Sequence, residues 1–306
     1  MFRYVLKRIG TSLFTLWVII TITFILMHSI PGDPLTRDKK MPEAIRQNIE
    51  AQYHLNEPLW KQYGYYFQGL AHGELGPSLK YEGVTVNEII GQGFPTSAQL
   101  GLAALALMLL VGIPAGVISA LRQNQWQDHT AMFMATLGVA VPNFVLATLL
   151  IYIFGVKLEL LPTSRWVSWQ SVIMPAVALA FYPTAYIARL TRSSMLEVIG
   201  QDYVRTARAK GLPQRMVLYK HALRNALVPI VTYLGPLIAG VLTGSFVIEK
   251  IFAIPGLGQQ FVLSISNRDY TTILGVTIFY AAFLIFMNLV VDLLYGVIDP
   301  RIRLGK

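Results

Sequence analysis

The sequence predicts an all-α membrane protein with six membrane-spanning helices and a small external domain. Three observations carry that prediction. Of the 306 residues, 54% are hydrophobic and 13% charged, against about 25% charged in a soluble globular protein. Six apolar stretches (9–30, 98–121, 131–156, 171–188, 226–248 and 271–291) run for 18 to 26 residues without Asp, Glu, Lys or Arg, and a spanning helix needs about 20. The Lys and Arg residues gather in a few segments between and beside these stretches, as the positive-inside rule requires. The net charge of +9 therefore reads as a topology signal, and a nucleic-acid partner is not expected. The absence of cysteine excludes disulfide frameworks, Cys-ligated metal centres and thiol nucleophiles.

The first stretch follows Arg3, Lys7 and Arg8. It is longer than the 7–15 apolar residues of a signal peptide, and no small-residue cleavage pattern follows. Ser29-Ile30-Pro31-Gly32-Asp33-Pro34 breaks the helix. Residues 1–30 thus read as an uncleaved first span, with His28 in a structural role at the external interface. The segment 31–97 is expected to form the external domain, with six basic and eight acidic residues over 31–96. Residues 42–53 are polar with helical spacing, and 60–70 hold Trp60, Tyr63, Tyr65, Tyr66 and Phe67. That cluster reads either as a packed cap or as a docking surface. Residues 98–306 form a five-helix core. Its loop 189–225 carries eight basic residues against Glu197 and Asp202. The N-terminus, this loop and the C-terminus with Arg301, Arg303 and Lys306 are therefore expected in the cytoplasm.

Within the core, Pro142 lacks an N–H and interrupts the third span, so Asn143 beside it is a candidate lining residue of a cavity. On the sixth span Asn288 and Asp292 share a face at i, i+4 spacing. Arg189 and Arg192 sit at the same membrane level. A structural ion pair among these charges, or a gate contact, is expected. The segment 249–270 is apolar but broken by Pro255, Gly256 and Gly258, and reads as a re-entrant element or an interfacial loop.

The cytoplasmic loop predicts a short helix over 201–210, with Asp202 near its positive end and Lys210 near its negative end. Gly211 suits the left-handed C′ position, and Pro213 suits the first turn of the next helix. Thr206, Ala207 and Ala209 are small, and Arg205, Arg208 and Lys210 supply positive charge. On residue chemistry alone the segment reads equally as a docking knob or as a solvated basic loop.

No catalytic constellation is found. A phosphate-cradling Gly-x-x-x-x-Gly-Lys-Ser/Thr loop, a His-Glu-x-x-His zinc pattern and a Gly-x-Ser-x-Gly elbow are all missing. No metal site is expected. The spans lack the mid-membrane acids that a proton-coupled carrier uses.

The run Tyr203-Val204-Arg205-Thr206-Ala207-Arg208-Ala209-Lys210-Gly211-Leu212, followed by His221-Ala222-Leu223-Arg224-Asn225-Ala226, resembles the cytoplasmic signature of ATP-binding-cassette importer permeases in its peptide and nickel variant. The glutamate and one alanine of the generic Glu-Ala-Ala triplet are replaced by Arg205 and Thr206. Similar to that family also are Pro31-Gly32-Asp33-Pro34, Ile254-Pro255-Gly256-Leu257-Gly258 with Asn267-Arg268-Asp269-Tyr270, and the ending 292–301. Residues 48–56 and 76–81 resemble its oligopeptide branch, with dipeptides or nickel chelates as the alternative cargo. The resemblance implies the type I importer permease fold and the role of the first of two permease subunits. It implies a second homologous permease, two cytoplasmic ATPases that hold the ATP and Mg, and an external lipoprotein or periplasmic peptide receptor. This chain would bind no cofactor and sit as a multi-pass protein among the lipids of a bacterial cytoplasmic membrane. Residues 202–212 would be the coupling helix on one ATPase. Pro255, Gly256, Gly258, Arg268 and Asp269 would belong to a scoop near the receptor.

Overall fold

The structure, a computed structural model, describes residues 2–29, 54 and 56–298, with side chains over 6–29, 54 and 56–290. The polar segment 42–53, the C-terminus beyond 298 and the side chains of Arg3 and Asp292 lie outside these residues.

The first helix, α1, covers Phe2–Ser29 and buries Ile20 and Phe24 while most of its surface is exposed hydrocarbon. A second helix, α2 (Leu59–Ala71), lies against this end and packs Tyr63, Tyr66, Phe67 and Leu70 onto Ile20, Phe24, Leu274 and Ile278. Thr21 and Tyr63 share a hydrogen bond of 2.7 Å, and His28 Nε2 meets Gln62 Oε1 at 3.2 Å. His28 thus ties α2 to α1, the structural role expected of it. Burial pushes the Tyr66 phenol above its usual range. The inner aromatics form a packed cap, while Trp60 points outward.

Helix α3 covers Val86–Leu121 and so starts ahead of the apolar stretch at 98. The reason is local. Thr85 Oγ1 accepts from the Glu88 N–H at 3.2 Å and Glu88 Oε2 accepts from the Thr85 N–H at 2.9 Å, a reciprocal cap that nucleates the helix in its polar lead. Along its buried face run Ser97, Gly101, Ala104, Met108, Gly112, Gly116 and Ser119. Small residues at this spacing let helix backbones approach closely in a membrane. A Cβ at Gly116 would lie 2.5 Å from the Ala188 carbonyl oxygen.

The third stretch is not one straight helix. It forms α4 (Trp126–Ala140) and α5 (Asn143–Leu150), the latter continued by a π-helical segment Ile151–Lys157. The two parts meet at 102° around Pro142, whose carbonyl caps the second part by accepting from Val145 and Leu146. Helix α6 (Ile173–Ile199) is longer than the fourth stretch and carries Arg189 and Arg192 within it. After it come α7 (Asp202–Ala209) and α8 over 214–226, which is π-helical across Val217–Leu223. The fifth stretch is split into α9 (Val228–Leu242) and α10 (Phe246–Ile251), with Gly244 at φ +100° between them. The chain ends on α11 (Leu257–Asn267) and α12 (Tyr270–Ile298).

Among the described residues five helical segments are long and apolar enough to cross a membrane, and six if the bent pair α4–α5 is one span. Helices α3 and α6 form the spine of the bundle. Helix α4 packs on α6, α9 lies against α12 and α3, and α11 lies against α3. The main buried clusters join α3, α6 and α9 at Ala104, Met108, Ile187 and Ile230, and α3, α6 and α10 at Leu100, Met174, Ile248 and Phe252.

Candidate functional site

Helix α7 is short, amphipathic and exposed. Val204 and Ala207 pack inward on Val217 and Leu212, while Asp202, Tyr203, Arg205, Thr206, Arg208, Ala209 and Lys210 face outward. Ala207 is a correction to the sequence reading, which placed it on the contact surface. The i, i+3 spacing from Val204 puts it on the buried face, and it is 5% exposed. The helix ends in a Schellman turn. The Gly211 N–H donates to the Arg208 carbonyl at 3.0 Å and the Leu212 N–H to Ala207 at 3.3 Å. Gly211 has φ +73° with open space where a Cβ would stand, so backbone conformation alone requires glycine there. Asn225 Nδ2 donates to the Tyr203 hydroxyl at 2.8 Å and fastens α7 to α8. The result is a rigid knob with a basic outer face: three cations against Asp202.

At the same end of the bundle, Asp128 on α4 is buried. Arg192 on α6 holds it with two hydrogen bonds, Nε to Oδ1 at 2.6 Å and Nη2 to Oδ2 at 2.8 Å. The Ser119 hydroxyl and the Asn124 N–H also donate to it. This pair clamps the α3–α4 turn to α6. The ion pair expected for Arg192 was with Asp292; its partner is Asp128, in the first turn of α4 just ahead of the third apolar stretch. Arg189 instead donates to Thr136 on α4 at 2.8 Å.

The other end is organised by two further buried carboxylates. Glu249 on α10 accepts from the Ser97 hydroxyl at 2.7 Å and from the Gln259 N–H at 2.9 Å, and Ser97 Oγ accepts from the Leu257 N–H at 2.9 Å. The carboxylate thus sits at the N-terminus of α11, where helix polarity favours an anion. Gly256 must lack a side chain, because a Cβ there would stand 2.4 Å from Glu249. Pro255 is exposed at the tip of the turn, and Gly258 is buried beside Glu249. The segment 246–270 is therefore a helix–turn–helix scoop pinned to α3. Asp269 closes it. It accepts from the Thr272 hydroxyl at 2.7 Å, the Thr272 N–H at 3.2 Å and the Leu79 N–H at 3.1 Å, and also from the Ser78 hydroxyl. Arg268, at φ +57°, is the left-handed cap of α11. Sequence reasoning passed over Glu249, Ser97 and Asp128. The signal available for Glu249 was a lone acid closing an apolar stretch and followed by Pro-Gly-x-Gly.

Asn143 is half-buried at the start of α5, and Asn288 is half-buried on α12. Helix α5 packs on α6 and α10, whereas α12 packs on α1, α3, α9 and α11, so the two asparagines stand on separate parts of the bundle.

Two family descriptions match this chain. Binding-protein-dependent transport system inner membrane component matches residues 112–304, and the N-terminal membrane component of the same systems matches residues 1–101. The chain is 51% identical over its whole length to the dipeptide transport system permease protein of Bacillus subtilis, covering 99% of that protein. It is 47% identical over 99% of its length to the oligopeptide transport system permease protein of Salmonella typhimurium, and 44% identical over 99% to the dipeptide permease of Lactococcus lactis, covering 100% of each. With five or six apolar spans among the described residues, an exposed short helix after α6, and these matches end to end, the chain belongs to the binding-protein-dependent transport system inner membrane components and is a permease subunit of an ATP-binding-cassette importer.

Proposed function

We propose that this permease subunit moves oligopeptides across the cytoplasmic membrane and forms half of the translocation path. A second, homologous permease forms the other half. Two cytoplasmic ATPases drive the cycle and carry the ATP and Mg, while this chain binds no cofactor. An external lipoprotein or periplasmic receptor delivers the peptide. Both termini and the loop with α7 face the cytoplasm, and the α10–α11 scoop faces the receptor. The charge pattern supports that orientation, since the loop 189–225 carries a large basic excess.

The observation that carries the reading is α7. A helix of eight residues, anchored by Val204 and Ala207 and stopped by a Schellman turn, is stiff enough to transmit a push from a moving ATPase. Its exposed Arg205, Arg208 and Lys210 suit an acidic or dipolar cleft. Residues Asp202, Tyr203, Arg205, Thr206, Arg208, Ala209 and Lys210 make the contact, and Ala207, Gly211 and Leu212 hold the shape.

The test is uptake of a labelled pentapeptide by the four-subunit complex in vesicles, with ATP hydrolysis followed in parallel. Gly211→Val is expected to leave ATP hydrolysis running while uptake falls at least tenfold. Coupled uptake at the wild-type rate would remove α7 from the coupling role. Competition by dipeptides against pentapeptides separates the two cargo sizes named among the relatives.

A further inference from the structure

The exposed faces of the spanning helices are of two kinds. On α1, α3 and α4 the large exposed side chains along the spans are hydrocarbon, among them Leu13 and Phe14, Leu110 and Val111, Phe133 and Met134. Those faces suit lipid. On α6 the exposed positions from Met174 to Leu196 are Tyr182, Tyr186, Arg189 and Ser193, and on α9 they are Pro229, Thr232, Pro236 and Gly240. No leucine, isoleucine, valine or methionine is exposed on either stripe. A different face of α6, with Val177, Ala180 and Phe181, lines an open apolar groove with α3 and α4, so the polar stripe is confined to one side of the helix.

The tyrosines bring the two stripes together. Tyr182 and Tyr186 are one turn apart on α6. The Tyr186 ring packs on Tyr233 of α9, with centroids 4.4 Å apart and planes 35° apart. Tyr182 is 47% exposed and Tyr186 38%. Among the described residues none of the three hydroxyls has a hydrogen-bond partner. Tyr182 and Tyr186 stand on α6 (Ile173–Ile199) within the charge-free stretch 171–188, two turns and one turn before Arg189. Phenols, a guanidinium and a hydroxyl on one exposed stripe are costly to desolvate against hydrocarbon, so this face suits a polar neighbour better than lipid.

The geometry points to Tyr182, Tyr186 and Tyr233 as the peptide-contacting wall of the translocation path, which deepens the cargo reading above and rests on it. Each phenol both donates and accepts a hydrogen bond, so it can serve either the N–H or the C=O of a passing peptide bond. Each ring offers an apolar face to side chains of any kind. Beside them on α9, Pro229, Pro236 and Gly240 present small side chains or none. Such a wall binds peptide backbone weakly and without sequence preference, as a conduit must.

The chain contains no cysteine, which makes the wall directly testable. Tyr182→Cys, Tyr186→Cys and Tyr233→Cys, with Leu110→Cys and Phe133→Cys as lipid-facing controls, are assembled into the full complex in vesicles. A variant is scored only when it elutes as the intact complex. Each is treated with a membrane-impermeant maleimide in every nucleotide state, and labelling of this chain is read by mass. Tyr182→Cys and Tyr186→Cys are expected to label at least tenfold faster than the controls in one state, and a transported pentapeptide is expected to slow them. Labelling as slow as the controls in all states overturns the wall while leaving peptide uptake intact as a separate result. Fast labelling that neither a pentapeptide nor a nickel–histidine chelate slows also overturns it. Fast labelling slowed by the chelate and not by the pentapeptide keeps the wall and overturns the peptide cargo.

Discussion

The two ends of the bundle are held together by different chemistry. Ser97 and Ser119 lie 22 positions apart on α3, roughly 33 Å at 1.5 Å per residue, and each is bonded to a buried carboxylate. At the Ser97 end, Glu249 and Asp269 are satisfied by backbone N–H groups and hydroxyls, and the donors come from several loops at once. At the Ser119 end, Asp128 is neutralised by Arg192, an ion pair between two helices. The Ser97 end therefore fixes loops onto helices, and the Ser119 end fixes helices to each other. Helix α7 stands beyond the Arg192–Asp128 clamp, attached by a small cluster of Val204, Ala207, Val217 and Leu212. The coupling role proposed for α7 thus draws on the helix pair behind it as well as on its own packing.

The largest effect is expected from breaking the ion pair. Arg192→Ala leaves Asp128 buried and unpaired, which costs about 3–5 kcal/mol. The thermal midpoint of the purified complex should fall accordingly, with Asp128→Ala/Arg192→Ala falling less than Arg192→Ala. A double-variant loss equal to the sum of the two single-variant losses would mean that the charges act independently.

Next comes the hub around Glu249. Glu249→Ala strips acceptors from Ser97 and from the start of α11 at about 2–3 kcal/mol, the cost of leaving buried donors unmade. Glu249→Gln keeps the shape and part of the bonding, so its midpoint should lie between that of the alanine variant and wild type. An unchanged midpoint in Glu249→Ala would show that the scoop is held by packing alone.

Gly211→Val forces a β-branched residue to positive φ and costs about 1–2 kcal/mol. Its global stability effect is therefore modest, and its signature is hydrogen exchange localised to 202–212. Exchange spreading into α6 would show that α7 and the clamp are one unit. The smallest effect belongs to Ser78→Ala, which removes one of several donors to Asp269 at about 1 kcal/mol. A shift as large as that of Glu249→Ala would make Asp269 the principal anchor of the Ser97 end.

Much of this architecture was legible along the chain. Charge-free stretches marked the spans, because the bilayer admits only helices whose backbone groups bond internally. Gly211 and Pro213 marked the ends of α7 and the next helix, because left-handed and fixed-φ positions are local properties. Pro142 marked the bend between α4 and α5 for the same reason. The extra length of α3 was also written locally, in Thr85 and Glu88, but composition averages hid it behind the polar lead.

What the sequence determined by itself was therefore the span number, the short basic helix and the places where helices break, since each depends on residues within a turn or two of one another. Tertiary structure alone decided that Arg192 meets Asp128 across 64 residues and that Ser97 meets Glu249 across 152. It alone turned Ala207 inward and set Tyr186 against Tyr233. Those pairings follow from which helix faces which, and a face acquires its partner only when close packing along Gly101, Gly112 and Gly116 fixes the registry of α3 against its neighbours.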